Sequence, residues 1–332
     1  MDEHENPEPG VAVRFLDPAG ADGFTRLVRR CYGDSYDAAW VYDPDQVAER
    51  LRRGILWSTV GVAEDGELVA HVGLARERSD SEVAESGQAV VAPEYRGRHL
   101  FTLLKRRAAD QAAERGLFGL YSEATAAHPY SQRANVALGA VETGLLLGYI
   151  PATVEYEAID ARRHRQSVVL YYLKTNDGHT RPVYAPPRDR AMVERILQLA
   201  GLRGRVRDAD SEAPSPARSD LHVEDRADHN DRVVTARTVG NDLLDAILTT
   251  RDEALARAAD CVYVDLPLAD PGTQRHGDGL RELGFAFGGI FPNRQHDCDV
   301  LRYQYVDRVT LDASDIELAS DHGRELLDYV TA

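Results

Sequence analysis

Residues 90–104 read Val-Val-Ala-Pro-Glu-Tyr-Arg-Gly-Arg-His-Leu-Phe-Thr-Leu-Leu, and a run of this kind can bind a phosphate or pyrophosphate. A short apolar strand ends at Pro93 and a basic turn follows. Leucines at 100, 103 and 104 then mark one face of a helix. A helix start leaves backbone N–H groups without intrahelical partners, at the positive end of the helix dipole. Strand, turn and helix start in this order aim those donors at one point, which suits an anion. Arg96 and Arg98 add charge-assisted donors. Without a ligand the same run is an ordinary strand–turn–helix.

The run resembles motif A of the GNAT N-acetyltransferases, Arg/Gln-x-x-Gly-x-Gly/Ala after a Val-x-Pro strand end. Val91, Pro93, Arg96 and Gly97 match that pattern. His99 stands where a glycine is usual, and Phe101 where glycine or alanine is usual. The resemblance implies that the loop cradles the pyrophosphate of acetyl-CoA, with Val90, Val91, Arg96, Gly97, Arg98, His99, Leu100 and Phe101 against the cofactor. His99 would either crowd the phosphates or contact them. The resemblance also implies the acyl-CoA N-acyltransferase fold, an α/β (α+β) architecture with a mixed sheet, and acetyl transfer to an amine.

Acetyl transfer from a thioester needs an anchored pyrophosphate and a backbone donor for the thioester carbonyl. In this family the donor comes from the splayed strand before the loop, which here means Val90 or Val91. The attacking amine must lose a proton, and a lysine-like amine has a pKa of about 10.4, so a base is required, directly or through water. Glu123, near the end of the strand expected to splay away, is the first candidate for the base. Its plainer reading is a solvated or salt-bridged strand carboxylate. Glu85 and Glu94 are runners-up. The family often protonates the departing thiolate with a tyrosine on the next helix. Counting back from Gly139 puts Asn135 at that place, so the usual acid is absent. Tyr130 is near enough in sequence to substitute, and a half-buried packing tyrosine is the plainer reading. The same count puts His128 and Ser131 at cofactor-side positions.

The whole chain bounds the remaining possibilities. Its 332 residues suggest two domains, and 43% hydrophobic residues can fill real cores. No apolar run reaches the roughly 18 residues of a membrane span, so no membrane partner is expected. The acidic, proline-bearing residues 1–10 lack the pattern of a signal peptide and are expected to form a disordered tail. Three cysteines, Cys31, Cys261 and Cys298, show no metal spacing and read as reduced buried thiols of a cytoplasmic protein. The scattered histidines, among them His164, His179, His222, His229, His276, His296 and His322, show none either, so no metal is predicted. A net charge of −16 argues against nucleic acid as a partner. Apart from Lys105 and Lys174 every basic residue is arginine, and the acid excess predicts a surface suited to high salt.

Periodicity places strands at 11–16, 56–63, 68–75, 84–92, 117–125 and 141–150. Helices fall at 21–31, 45–53, 100–115 and 131–138. Their order, β-α-α-β-β-β-α-β-α-β, is that of the acetyltransferase fold, over about residues 11–160. Further on, strands are read at 168–173 and 182–184 and helices at 188–199 and 243–259. Residues 207–231 admit a strand beside an exposed loop or an acidic linker. Cys261 to Asp265, Asp270-Pro271, Gln274, Leu283-Gly284 and Ile290 to Pro292 echo Leu120 to Glu123, His128-Pro129, Gln132, Leu138-Gly139 and Tyr149 to Pro151. That order suggests two copies of one unit, the second over residues 161–332. The second copy reads Thr238-Val239-Gly240-Asn241-Asp242 before its helix and has lost the cradle sequence. Its expected role is to close the acceptor cleft or to form a homodimer interface. The expected function is acetyl-CoA-dependent acetylation of a small-molecule or protein amine. A non-catalytic acetyl-CoA sensor is the alternative.

Overall fold

The computed structural model describes residues 10–36, 38–152, 164–210, 215–295, 298–307, 309 and 315–332. Residues 1–9 of the expected tail (1–10) and His296 lie outside them. The described residues divide by contact into two compact units, and the division falls between Ser122 and Glu123.

The first unit holds β1 (Val11–Phe15), α1 (Ala21–Tyr32), α2 (Pro44–Arg52), β2 (Leu56–Ala63), β3 (Leu68–Ala75), β4 (Val83–Val91), α3 (Leu100–Glu114) and the start of β5 (Gly119–Thr125). Its sheet runs β1-β2-β3-β4-β5. α1 buries Phe24, Leu27, Val28 and Cys31, a helical i, i+3, i+4, i+7 stripe. Asp43 starts α2, its carboxylate accepting from the N–H groups of Asp45 and Gln46 at 3.0 and 3.3 Å. Pro44 takes the first helical position, where a missing N–H costs nothing. α3 buries Leu100, Leu104, Ala108 and Ala112, one residue in every four.

β4 decides the local geometry. Gln88 has φ 46°, and the register with β3 shifts between His71 and Gly73, so β4 carries a bulge. β4 pairs in parallel with β5 over Val83, Ala84 and Glu85, opposite Gly119, Leu120 and Tyr121. Beyond Glu85 the ladder stops. The rest of β4 therefore has β3 on one side and an open edge on the other.

The second unit contains the end of β5, α4 (Tyr130–Ala137), β6 (Val141–Ile150), β7 (Gln166–Lys174), β8 (Arg181–Val183), α5 (Arg190–Leu199) and β9 (Gly204–Val206). It continues with β10 (Asp220–Arg226), β11 (Asp231–Thr238), α6 (Leu243–Ala256), β12 (Cys261–Pro267), α7 (Pro271–Glu282), β13 (Ala286–Gln295), β14 (Cys298–Val306) and α8 (Asp321–Thr331). Its sheet runs β7-β6-β13-β14-β12-β11-β10, and β8 pairs with β9 in a separate ribbon. β11 and β12 are parallel and joined through α6, as β4 and β5 are joined through α3. β13 and β14 form a hairpin with β14 beside β12, and β6 and β7 form another hairpin. The two hairpins meet where Gly144 faces Gly289, and a Cβ on Gly144 would lie 2.3 Å from the Gly288 carbonyl oxygen. Only glycine permits that approach.

One core cluster fills the second unit, from Leu145, Leu147 and Tyr171 through Val234, Val264 and Phe287 to Leu326. Buried arginine–aspartate pairs cross it: Arg181 with Asp299, and Arg302 with Asp265, the latter at 2.7 Å through both donors. All three cysteines are buried. No helix among the described residues is long and apolar enough to cross a membrane, and no group of three or more His, Cys, Asp or Glu could hold a metal ion.

Candidate active site

The site in the first unit grows out of the open edge of β4. The Ala92 N–H donates to the Val69 carbonyl of β3 at 2.9 Å. Hydrogen-bonding groups alternate sides along a strand, so the N–H of Val91 points away from β3, toward the open edge. Val91 is thus the free donor of the pair, while Val90 is buried with 2% of its surface exposed. The Val91 carbonyl accepts from Arg96 Nε at 3.3 Å, which folds the Arg96 side chain back along the strand end.

After Val91 the chain turns through Pro93–Tyr95 and enters α3. Gly97 has φ 77° and His99 has φ 58°, both left-handed. His99 is the N-cap of α3 and makes no side-chain capping bond. Among the described residues, the N–H groups of Gly97, His99, Leu100, Phe101 and Thr102 donate to no protein group. Five open donors and a helix start converge on one exposed turn. The left-handed backbone at 99 explains why glycine is usual there: a Cβ is disfavoured in that conformation. The His99 side chain is exposed, and the Arg98 guanidinium stacks over the Tyr95 ring at 4.9 Å. Arg96 pairs with no carboxylate among the described residues, which leaves its charge available to an anion. Glu94, a runner-up base, is in an ion pair with Arg30.

Two groups near this turn are not evident from motif spacing. Lys105, one helical turn past Phe101, is buried, and its amine donates to the Ser122 hydroxyl at 3.0 Å. Burial pushes its pKa down to about 7. Its signal in the sequence is rarity, one of two lysines among 39 basic residues. His71 is fully buried beside the β4 bulge, with Nδ1 2.7 Å from the Gln88 carbonyl oxygen. Burial pushes its pKa down to about 4, so the ring stays neutral and braces the bulge.

The second unit holds Glu123, His128, Tyr130 and Ser131. Glu123 is half-buried at the end of β5 and accepts from the Tyr149 hydroxyl at 3.3 Å. Burial, reinforced by the Glu123 charge, raises the Tyr149 pKa to about 12. Tyr130 opens α4 with 73% of its surface exposed, its ring 5.1 Å from that of His128. Pro129, not His128, is the N-cap of α4. The Ser131 hydroxyl is buried without a partner. Tyr149 carries no motif that marks it in the sequence.

The corresponding loop in the second half, just before α6, is filled from within. The N–H groups of Val239, Gly240 and Asn241 donate to the Asp270 carboxylate, the Ser219 hydroxyl and the Pro216 carbonyl, each at 2.9 Å. A Cβ on Gly240 would lie 2.3 Å from the Arg218 carbonyl carbon. The loop before α6 therefore has three of its donors satisfied within the protein and no space beside Gly240.

Comparison with known proteins agrees with the turn at β4. Residues 21–139 match the acetyltransferase (GNAT) family model. No curated protein matches the chain. Among solved structures, a chimera of spermidine N-acetyltransferase SpeG from Vibrio cholerae is 20% identical, covering 50% of this chain and 96% of its own, with a TM-score of 0.40. The ribosomal-protein-S5-alanine acetyltransferase from Vibrio fischeri is 14% identical, covering 52% and 97%, with a TM-score of 0.42. The ribosomal-protein-S18-alanine N-acetyltransferase from Escherichia coli is 14% identical, covering 51% and 96%, with a TM-score of 0.41. Likeness at this level says nothing about an acceptor. The fold is mixed α/β with a mixed sheet, and residues 21–139 are similar to the GNAT acetyltransferases.

Proposed function

We propose that this chain is an acetyl-CoA-dependent N-acetyltransferase with one cofactor site, at residues 90–101, and an amine of a small molecule or protein as acceptor. The observation that carries the reading is the set of five unpartnered backbone N–H groups around Gly97 and His99, beside an open β4 edge. The loop and Arg96 hold the pyrophosphate, and the Val91 N–H donates to the thioester carbonyl oxygen. Glu123 takes a proton from the acceptor ammonium, directly or through water. The neutral nitrogen attacks the carbonyl carbon and releases its second proton to water, the C–S bond breaks, and the thiolate leaves. Its proton comes from water or from Tyr130, whose exposure favours water.

Residues 11–160 form the cofactor domain in this reading, and residues 161–332 form a degenerate second copy. The shared β-α-β-α-β order, with parallel strands around α3 and around α6, supports the duplication. The copy serves as a wall of the acceptor cleft or as a homodimer interface.

Calorimetric titration with acetyl-CoA, paired with thiol release over a panel of amines, tests the reading. Binding with turnover on at least one amine is expected. Absence of binding sinks it. Binding without turnover on any amine favours the second reading, a CoA-responsive sensor, which the left-handed His99 and the exposed Tyr130 support.

A further inference from the structure

We propose that β10 is a self-association edge, at which two copies of this chain pair their β10 strands antiparallel with Val223 opposite the partner's Val223. This gives residues 161–332 the dimer-interface part, and it stands whether or not the chain transfers acetyl groups.

β10 ends the sheet of the second unit. Among the described residues it pairs with β11 on one side and with no strand on the other. Backbone N–H and C=O groups alternate between the two sides of a strand, so one set along β10 faces outward. Among the described residues, no backbone group of residues 221–225 is bonded outside the ladder with β11. Such a row is a template for another strand, and a protein that stays single blocks it with proline, like charge or a bulge. β10 contains no proline. Its residues are exposed except for the half-buried Leu221 and Arg226, and Val223 leaves 43% of its surface open.

The strand is complementary to itself in one register. With Val223 at the centre, His222 meets the partner's Glu224 twice, by symmetry, and Asp220 meets the partner's Arg226. Leu221 meets the partner's Asp225. The Asp225 charge is already answered within its own chain, by Arg232 at 2.6 and 2.9 Å and by Arg257 at 3.1 Å. No like charges stand opposite each other. The neighbouring registers lack this fit. A slip of one residue sets Asp220 against the partner's Asp225, or the apolar Val223 against the partner's Glu224. A slip of two sets His222 on the partner's His222, or Glu224 on the partner's Glu224. Like charges directly opposite destabilise a strand pair, so the sequence selects the first register.

β1, an edge strand of the first unit, offers less. It has five residues, Val11 is buried, and the Phe15 ring lies under the Arg107 guanidinium at 5.4 Å. Pairing of β10 with β1 of another copy would not close and would grow into chains, whereas β10 with β10 closes at two.

Sedimentation velocity of the full chain tests the proposal, at high salt, where the −16 charge on each chain is screened. A dimer is expected. His222→Glu sets glutamate against glutamate at both symmetric pairs and is expected to raise the dimer Kd about tenfold. The double variant His222→Glu with Glu224→Lys exchanges the charges and is expected to restore the wild-type Kd. Val223→Pro removes a donor at the centre and is expected to leave monomers. Both His222 and Glu224 are exposed, so their variants keep the test standing even if Val223→Pro disturbs the hairpin. A monomeric wild type overturns the proposal. So does a dimer that His222→Glu leaves unchanged, which would place the contact elsewhere, β1 included. Open-ended growth or no recovery in the double variant also overturns it. Acetyl-CoA titration of the same samples reads the cofactor loop separately: no binding in a dimeric wild type removes the acetyltransferase reading and leaves the interface in place.

Discussion

The amine of Lys105 lies 3.0 Å from the hydroxyl of Ser122, and both side chains are buried, with 4% and 5% of their surface exposed. α3 supplies the lysine and β5 the serine. Burial disfavours the ammonium and holds the Lys105 pKa at about 7 against an ordinary 10.5. The folded state therefore binds fewer protons than the unfolded chain between those values. The penalty is absent above pH 10.5, grows as pH falls, and is complete below about 7. Lys105→Met is expected to raise the melting temperature at pH 7 by several degrees and to flatten its rise between pH 7 and 10. Thermal unfolding across that range checks it, and an unchanged slope would assign the dependence elsewhere.

His71 carries a second pH dependence, in a different window. Its folded pKa of about 4 lies below the ordinary 6.5. Stability is complete above pH 6.5 and is lost as pH falls toward 4, because the unfolded chain takes up the proton first. Denaturant unfolding between pH 7 and 4 should show that loss, and His71→Gln should remove much of the slope.

Arg96→Ala is expected to weaken acetyl-CoA binding at least tenfold, since a charge-assisted bond to phosphate contributes about 1.5–3 kcal/mol. Titration calorimetry at low salt measures it. Wild-type affinity in the variant would place the cradle somewhere other than residues 96–101.

His99→Gly relieves a left-handed backbone that costs a side chain roughly 1 kcal/mol. The exposed imidazole makes no capping bond, so affinity for acetyl-CoA should hold or improve while stability rises slightly. A clear loss of affinity would instead assign the ring to the ligand.

Gly240→Ala is expected to destabilise the fold by about 1–3 kcal/mol, because its Cβ would meet the Arg218 backbone. Calorimetry on the unaltered protein should return one acetyl-CoA per chain. A stoichiometry of two would contradict the filled loop before α6.

Local signals carried much of the first unit. The hairpin of β2 and β3 occupies residues 56–63 and 68–75, as alternation and the Glu64-Asp65-Gly66 turn indicate. α3 starts at Leu100 because its leucine spacing and the preceding turn both say so. β10 is less legible. Its residues are nearly all exposed, so no apolar face marks it, and backbone pairing with β11 holds it. Lys105 precedes Arg106 and Arg107, and reads as one more solvated basic residue until helix phase turns it inward. The contact of Tyr149 with Arg226 joins residues far apart in the chain, and no periodicity reports it. The β4 bulge at Gln88 likewise depends on pairing with β3, which sequence spacing does not encode.

The groups that fill the loop before α6 are a hydroxyl, a carbonyl and a carboxylate, from Ser219, Pro216 and Asp270. All three are oxygen acceptors, the same atom type that a pyrophosphate would present. The chain thus carries an internal mimic of the anion, permanently docked. Such a mimic cannot dissociate, so the loop before α6 keeps its acceptors at every ligand concentration.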